Sequence, residues 1–505
     1  MLDKLTAFFN LHPGAGHLAA LMSGVLLPLS LAPFEWWPLG ILSVLLFLTT
    51  IHDQAPGRSL IRFYLYSLGM YGLGVSWIYV SINVYGGASV FLAALLVLLS
   101  IVAWSLNGLL LGLLYTRWVR YFPQWHLLAF PAIWVLMEWF RGWFLTGFPW
   151  LYIGYGHLTS PLAGFAPVAG VLGVSFFVVA SAVLLYQSLA EKKVAPILGL
   201  LVIWAAGLML SEIGFVKEKK QITVAAIQGN IDQHTKWHRK MVTSILNQYT
   251  GLTRNAWGDD IVVWPEAAIT QFRENASGFL QELDQKGKQS GTTMVLGIPD
   301  RDGKGNFLNT AVVVGNGQGS YIKRHLVPFG EYVPFENLLR GLITFFDLPM
   351  SHNKSGPMVQ ETPLADNLKL SLSICYEVVF PELVRSTVES PDLFVTISND
   401  TWFGHSIGPA QHLQMAQMRA LENGRYMIRA TNNGITALID HKGKIVDSLP
   451  QFEPGVLRST AKVMTGSTPF HRFGQLPTIL FCVALLGLLA IIQIRVGKSQ
   501  ITDNK

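Results

Sequence analysis

Residues 370–383 read LSLSICYEVVFPEL, and the fold of the second half of the chain turns on them. Apolar residues run up to Ile374 over the length of one buried strand, and the thiol of Cys375 stands at its end with Glu377 two residues on. Similar runs lie on either side: ITVAAIQ from Ile222, DIVVWPEAAI from Asp260, TTMVLGIP from Thr292, NTAVVVGN from Asn309, DLFVTISND from Asp392, YMIRATN from Tyr426 and ITALIDH from Ile435. Between them, Lys236–Leu252, Ser277–Gln289 and Pro409–Asn423 have the length and apolar spacing of amphipathic helices. Strands that bury both faces, alternating with helices, predict a layered α/β domain of about 250 residues.

Three of these segments carry reactive groups where such folds usually place ligands. Glu266 follows the strand in VVWPEAAI, Lys323 lies in GSYIKRHLVPFGEYVP with Glu331 eight residues on, and Cys375 ends the strand quoted above. Each has a plainer reading: Glu266 can cap the next helix, Lys323 can be a solvated loop charge, and Cys375 can be a small core residue. Together they form a chemical set. A thiol needs a base to become a nucleophile and a fixed cation to stabilise the oxyanion it creates. A Glu desolvated enough to hold a proton supplies the first and a Lys the second. His325, His405 and His412 are available, but no Cys-His-Asn pattern competes, and His325 beside Lys323 and Arg324 reads as a loop anchor.

The first half is a different material. The 505 residues are 51% hydrophobic and 13% charged, with mean hydropathy +0.38, against about 25% charged in ordinary soluble chains. Of the 37 Lys and Arg and 31 Asp and Glu residues, only 14 precede residue 216. Apolar stretches cover Gly14–Phe34, Pro38–Ile51, Ile61–Ile82, Ala88–Tyr115, Leu127–Phe144, Leu162–Leu189 and Val194–Ile213, and an eighth runs from Leu476 to Ile494. A crossing helix needs about 20 such residues, so about eight transmembrane helices are expected. The first is read as retained, since its basic flank is weak and it has no clear small-residue cleavage site. Arg58, Arg62, Arg117, Arg120, Lys192, Lys193, Arg495 and Lys498 fall on one side if the N-terminus is cytoplasmic. The α/β segment then lies outside. The expected division is 1–216 for the membrane bundle, 217–472 for the extracytoplasmic domain and 473–505 for a last helix with a cytoplasmic tail. Dispersed basic residues argue against nucleic acid despite a net charge of +6. The two cysteines, Cys375 and Cys482, suggest neither a disulfide framework nor a metal site, and Cys482 reads as packing within a span.

Within the bundle, Glu138 and Arg141 in EWFRGWF are costly at membrane depth. They are expected either to pair and snorkel or to meet a phospholipid head group. Trp150 in TGFPWLYIGYG reads as an interfacial anchor or as part of a gate for lipid. Phe329, Tyr332, Val333, Leu338, Leu339, Phe345 and Phe346, between the Lys and Cys motifs, form either a closed core or a lid dipping into lipid. Asp400, Trp402 and His405 in ISNDTWFGHS can line an acceptor site, although turn chemistry at Asn399 and Asp400 is simpler.

WPE, the YIKRHLVPFGEYVP run and SICYE, in that order within one α/β domain, resemble the Glu-Lys-Cys triad of the nitrilase (carbon-nitrogen hydrolase) superfamily. With seven apolar spans before it and one after, and with ISNDTWFG and RALENGRYMIRATNNG following the nucleophile, the chain is similar over its full length to the integral-membrane apolipoprotein N-acyltransferase family. That resemblance implies a membrane α-helical bundle plus an extracytoplasmic α/β nitrilase-like αββα sandwich. It implies Glu266 as general base, Lys323 as oxyanion stabiliser and Cys375 as nucleophile. Glu331, Tyr376, Glu377, Asn309 and Trp237 resemble supporting positions, and Arg141, Trp150, Phe345, Phe346 and Trp402 stand as substrate-binding candidates. The implied reaction moves an acyl chain from the sn-1 position of a phospholipid to the α-amino group of an N-terminal S-diacylglyceryl cysteine, through a Cys375 thioester. The expected partners are the phospholipid donor, the diacylglyceryl apolipoprotein acceptor and the bilayer of a bacterial inner membrane. A monomer without metal or cofactor is expected, with its catalytic domain on the periplasmic side. The competing reading is a membrane-anchored amidase with the same triad; a transporter with an α/β binding module would leave the triad unexplained.

Overall fold

The computed structural model describes residues 2–121, 126–334 and 353–502. The chain divides into two compact units: Met1–Ser76, Ala94–Gly214 and Arg472–Lys505 form one, and Trp77–Ala93 and Phe215–His471 form the other.

The first unit is helical. Helices occur at Leu2–Leu11, Pro13–Leu29, Pro38–Ile51, Pro56–Gly74, Val90–Arg117, His126–Arg141, Ala166–Glu191, Ala195–Ser211 and Leu476–Thr502, so each apolar stretch has its helix and the one at Leu2–Leu11 is additional. Pro13, Pro38 and Pro56 open theirs, where a missing N–H leaves no bond unmade. Pro13–Leu29 and Pro56–Gly74 cross closely because a Cβ on Gly24 would collide with the Tyr66 carbonyl and one on Gly69 with that of Leu21. Among the described residues, Val90–Tyr121, Pro161–Ala190 and Leu476–Arg495 are long and apolar enough to cross a membrane, and Pro56–Gly74 with Ile78–Tyr85 makes a fourth if the pair is one span. The expected helix over Ile61–Ile82 ends at Gly74. The helix over Ala166–Glu191 is interrupted at Gly170, whose φ is +68°. Apolar residues continue through both breaks, so hydropathy does not register them.

The second unit is a twelve-stranded sheet: β1 Val216–Gln228, β2 Ile261–Val263, β3 Thr293–Arg301, β4 Phe307–Gly315, β5 Gly317–Ile322, β6 Leu364–Ala365, β7 Leu368–Ile374, β8 Leu393–Ser398, β9 Met427–Thr431, β10 Ala437–Ile439, β11 Ile445–Ser448 and β12 Gly455–Gly466. The order is β11-β10-β9-β8-β7-β6-β5-β4-β3-β2-β1-β12. Two parallel triplets, β1-β2-β3 and β7-β8-β9, are joined through the short antiparallel pairings of β6. The sheet doubles back on itself. Val224, Ile261, Val263 and Val295 of the first triplet share one core with Leu372, Ile374, Val395 and Ile428 of the second. The alternate residues Ala225, Ile227, Val262 and Met294 pack outward against Ile245 and Tyr249 of helix Val242–Thr253 and Leu280 and Leu283 of helix Ser277–Ser290. Side-chain alternation with period two thus gives each strand two apolar faces, one for the other triplet and one for helices.

Candidate active site

Each reactive residue leaves the sheet at a strand end. Trp264, after β2, is buried, donates Nε1 to Thr253 Oγ1 at 2.9 Å and stacks on Tyr249. This anchor fixes Pro265 and Glu266 across β3, where Gly297 lies so close that a Cβ would stand 2.7 Å from the Glu266 Cα. Lys323 follows β5, and its N–H donates to the Asn309 carbonyl at 2.8 Å, prolonging the β4-β5 ladder.

The Lys323 ammonium is 1% exposed and lies 2.8 Å from Glu331 Oε2 and 3.6 Å from Glu266 Oε1. Asn309 Nδ2 donates to Glu266 Oε1 at 2.7 Å and to Glu331 Oε1 at 3.1 Å, tying the two carboxylates together. The Asn399 N–H donates to Glu266 Oε2 at 2.8 Å and the Val327 N–H to Glu331 Oε2 at 2.8 Å. Burial alone would lower the Lys323 ammonium, but Glu331 and Glu266 outweigh it and hold the group well above the usual range.

Cys375 opens the turn Cys375–Val379 after β7 with φ +54°, a conformation that costs a non-glycine residue about 1–3 kcal/mol. Glu377 over-determines that turn. Its Oε2 accepts the Ile374 N–H at 2.8 Å, while Oε1 accepts Tyr321 OH at 2.8 Å and the N–H groups of Arg324 and His325 at 2.7 and 3.1 Å. One buried carboxylate therefore clamps the Lys323 loop to the Cys375 elbow, and hydrogen bonds to a charged group contribute about 1.5–3 kcal/mol each. Burial pushes the Glu377 carboxyl up, while the Ile374 N–H and the Lys323 charge pull it back. Burial and the Glu266 charge raise the Cys375 thiol far above its usual range, against the pull of Lys323. A thiol raised in this way favours its protonated form, so any nucleophilic attack by it would need a base in the same step.

The other sequence candidates fall in several places. Tyr376 is buried, its ring near Phe380 and His325. Trp237 is 40% exposed with the Lys236 ammonium 5.9 Å from its ring. Trp402 is half-buried; its carbonyl accepts from Ser81 Oγ at 2.7 Å and its ring meets Tyr85. Phe329 is exposed and Val333 buried, while Leu338, Leu339, Phe345 and Phe346 lie outside the described residues.

Two expectations are corrected. Arg141 does not snorkel: it is 7% exposed and donates to Tyr71 OH at 2.9 Å and the Leu151 carbonyl at 3.2 Å. Glu138 accepts Trp134 Nε1 at 3.1 Å and the Ile153 N–H at 2.9 Å, so both side chains hold the loop after their helix to the bundle. Trp150 is no surface anchor: it is 1% exposed and stacks on Phe148. The turns set by Gly147 and Leu151, at φ +86° and +59°, fold it inward, and hydropathy cannot show that.

Sequence reasoning missed Lys236, which is 0% exposed and donates Nζ to the Glu266 carbonyl at 3.3 Å. Burial lowers its ammonium to about 8, against the pull of Glu266. Its place beside Trp237 was the available signal. Asn399, which sits in the quoted ISNDTWFG run, was passed over as a turn residue.

Residues 223–469 match the Carbon-nitrogen hydrolase family, and residues 23–184 match the Apolipoprotein N-acyltransferase N-terminal domain. The chain is 45% identical over 496 residues to the Apolipoprotein N-acyltransferase of Pseudomonas syringae pv. tomato, covering 96% of this chain and 98% of that one. Against the protein of that name from Pseudomonas aeruginosa the identity is 46% over 490 residues, covering 94% and 96%. Against that of Vibrio parahaemolyticus it is 41% over 498 residues, again covering 94% and 96%. A solved CN-hydrolase superfamily protein from Xanthomonas campestris aligns with 48% of this chain and 91% of its own, at 18% identity and a TM-score of 0.38. At such identity over nearly the whole length, the chain belongs to the apolipoprotein N-acyltransferase family.

Proposed function

We propose that this acyltransferase moves the sn-1 acyl chain of a phospholipid to the α-amino group of an N-terminal S-diacylglyceryl cysteine on an apolipoprotein, with Cys375 carrying the acyl group between them. The observation that carries the reading is the Lys323 ammonium held 2.8 Å from Glu331 and 3.6 Å from Glu266, on a loop that Glu377 ties to the Cys375 elbow. Glu266 takes the thiol proton as sulfur attacks the ester carbonyl, and Lys323 faces the oxyanion that forms. Collapse expels the lysophospholipid alkoxide, which receives the proton from Glu266. The acceptor amine then attacks the Cys375 thioester, Glu266 takes the amine proton, and collapse to the amide returns that proton to the departing thiolate. Glu331 and Asn309 hold Lys323 and Glu266 through both halves.

The reading includes eight spans with a cytoplasmic N-terminus, domain limits near residues 216 and 472, a periplasmic catalytic domain and a monomeric chain in a bacterial inner membrane. The one-sided Lys and Arg in the short loops support it. Both substrates carry acyl chains, so a site at the bilayer surface spares the cost of extracting either into water. An amidase would need one anchor, not an N-terminal acyltransferase domain matched over residues 23–184.

The test is intact-protein mass spectrometry of the wild type and Cys375→Ala after incubation with phospholipid in detergent without acceptor. A hydroxylamine-labile gain of one acyl chain in the wild type alone is expected. Acylation of a diacylglyceryl-cysteine peptide by Cys375→Ala at the wild-type rate would overturn the covalent route.

A further inference from the structure

Against the backbone of the Cys375 elbow, four buried polar side chains form one connected cluster that the reaction above does not use. His412, on helix Gly408–Asn423, places Nε2 3.2 Å from the Cys375 carbonyl oxygen and Nδ1 3.0 Å from Asp400 Oδ1. Arg429, on β9, donates Nη2 to Asp400 Oδ2 at 2.5 Å and approaches His412 Nδ1 at 3.1 Å. Ser398, the last residue of β8, donates Oγ to Asp400 Oδ1 at 2.7 Å and lies beside the Cys375 thiol. All four are buried to 2% exposure or less. The space is committed as well: Gly434 packs so tightly that a Cβ there would stand 2.6 Å from the Asp400 Cβ.

The Cys375 carbonyl can only accept, so His412 Nε2 must carry a hydrogen whatever the charge of the ring. That bond draws the carbonyl toward the helix. In a trans peptide the Tyr376 N–H then points the opposite way. The same Asp400 oxygen that faces His412 also takes the Ser398 hydroxyl, whose side chain lies beside the thiol. Backbone and sulfur of the nucleophile are thus referred to one carboxylate. We propose that His412 and Ser398, fixed by Asp400 and Arg429, are positioning residues that hold the strained Cys375 elbow and aim its sulfur for acyl transfer. Held from both ends, the elbow keeps its left-handed φ while the thiol moves between hydrogen, acyl and amine partners.

The inference rests on the proposed thioester route, and its test separates the two. The rate of acyl-Cys375 formation from phospholipid is measured by quenched-flow mass spectrometry for the wild type, His412→Gln, His412→Leu, Ser398→Ala and Cys375→Ala, with folding checked by thermal unfolding. Glutamine retains a donor able to reach the Cys375 carbonyl; leucine does not. His412→Leu should slow acylation about 100-fold, since misplacing reacting atoms by about 1 Å costs that much. It should leave the KM for donor within about threefold, and His412→Gln should recover most of the rate. Ser398→Ala, which removes one hydroxyl, should slow acylation about tenfold with little change in Tm. The inference fails if His412→Leu and His412→Gln are slowed equally, or if Ser398→Ala acylates at the wild-type rate. No acyl adduct in the wild type would instead overturn the thioester reading itself.

Discussion

Lys236→Met keeps the length of the side chain and removes its charge, and it should stabilise the fold at neutral pH while impairing catalysis. Lys236 is 0% exposed, its Nζ is 3.3 Å from the Glu266 carbonyl, and burial lowers its ammonium from 10.5 to about 8. Between about 8 and 10.5 the unfolded chain therefore binds more protons than the folded one, and stability from this residue rises with pH across that window. Below about 8 the whole cost is present. At about 1.4 kcal/mol per pH unit it comes to about 3 kcal/mol, from which methionine gives back about 1 kcal/mol for the lost hydrogen bond. The net gain of about 2 kcal/mol corresponds to about 4–8 °C in Tm for a domain of this size. Thermal unfolding of both proteins in detergent from pH 6.5 to 10.5 should show the variant ahead at pH 7 and the advantage gone by about pH 10. An advantage independent of pH, or a loss at pH 7, would refute the assignment of the cost to a buried ammonium. Acyl-Cys375 formation should fall about tenfold in the same variant, because the Glu266 backbone loses its tether.

Glu377→Gln must turn an amide NH₂ toward either the Ile374 N–H or the donors on the Lys323 loop. We expect a destabilisation of about 2–4 kcal/mol and an acylation rate reduced about 100-fold, read by chemical denaturation and quenched flow. Lys323→Arg keeps the charge, but a planar fork cannot occupy a site shaped for a point cation between Glu266 and Glu331. Its kcat should fall at least 100-fold, and Lys323→Met further still. Burial would raise the Asp400 carboxyl, but Arg429 and His412 outweigh it and hold it well below the usual range. Its stabilisation is present above the ordinary Asp value of about 4 and is lost as pH falls through the native one. Acid titration should therefore show proton uptake coupled to unfolding below about pH 4 in the wild type and less of it in Asp400→Asn.

The strands most visible in the sequence are those buried on both faces. β2, β8, β9 and β10 lie within the apolar runs read from sequence, β3, β4 and β7 overlap theirs and extend two residues beyond, and the helices Ser277–Ser290 and Gly408–Asn423 begin and end within one residue of the periodic segments. β5, β11 and β12 were not read, because GQGSYI, IVDS and GVLRSTAKVMTG carry Gly, Ser, Lys or Arg on an outer or edge face and lack a continuous apolar signal. Within the site, Glu266 and Lys323 stand out by residue type beside a strand end, Glu331 and Asn309 come from the family resemblance, and the structure brings the four together. Asp400, Arg429 and His412 lie 12 to 29 residues from one another and on different elements. Their contact depends on β8, β9 and the intervening helix packing together, which no local pattern encodes.

The doubled sheet explains why the site is divided in this way. The first parallel triplet and its hairpin supply acid–base and cationic groups, Glu266 after β2, Asn309 on β4 and Lys323 after β5. The second supplies the proposed nucleophile and its proposed supports, Cys375 after β7, Ser398 closing β8 and Arg429 on β9. In the proposed reaction neither set is a catalyst alone, because a thiol raised by burial would need the base from the other half. Several links fix the distance between them, among them Glu377 to the Arg324 and His325 N–H groups, the Asn399 N–H to Glu266, and Asn432 Oδ1 to the Ile231 N–H at 2.9 Å. Each of these joins a main-chain N–H of one half to a side-chain acceptor of the other, so the register of the halves depends on Glu377, Glu266 and Asn432 keeping their acceptor oxygens. Loosening a link should lower the rate of acyl transfer before it lowers stability, since the shared apolar core of Val224, Val263, Leu372 and Val395 holds the halves together whether or not their loops are in register.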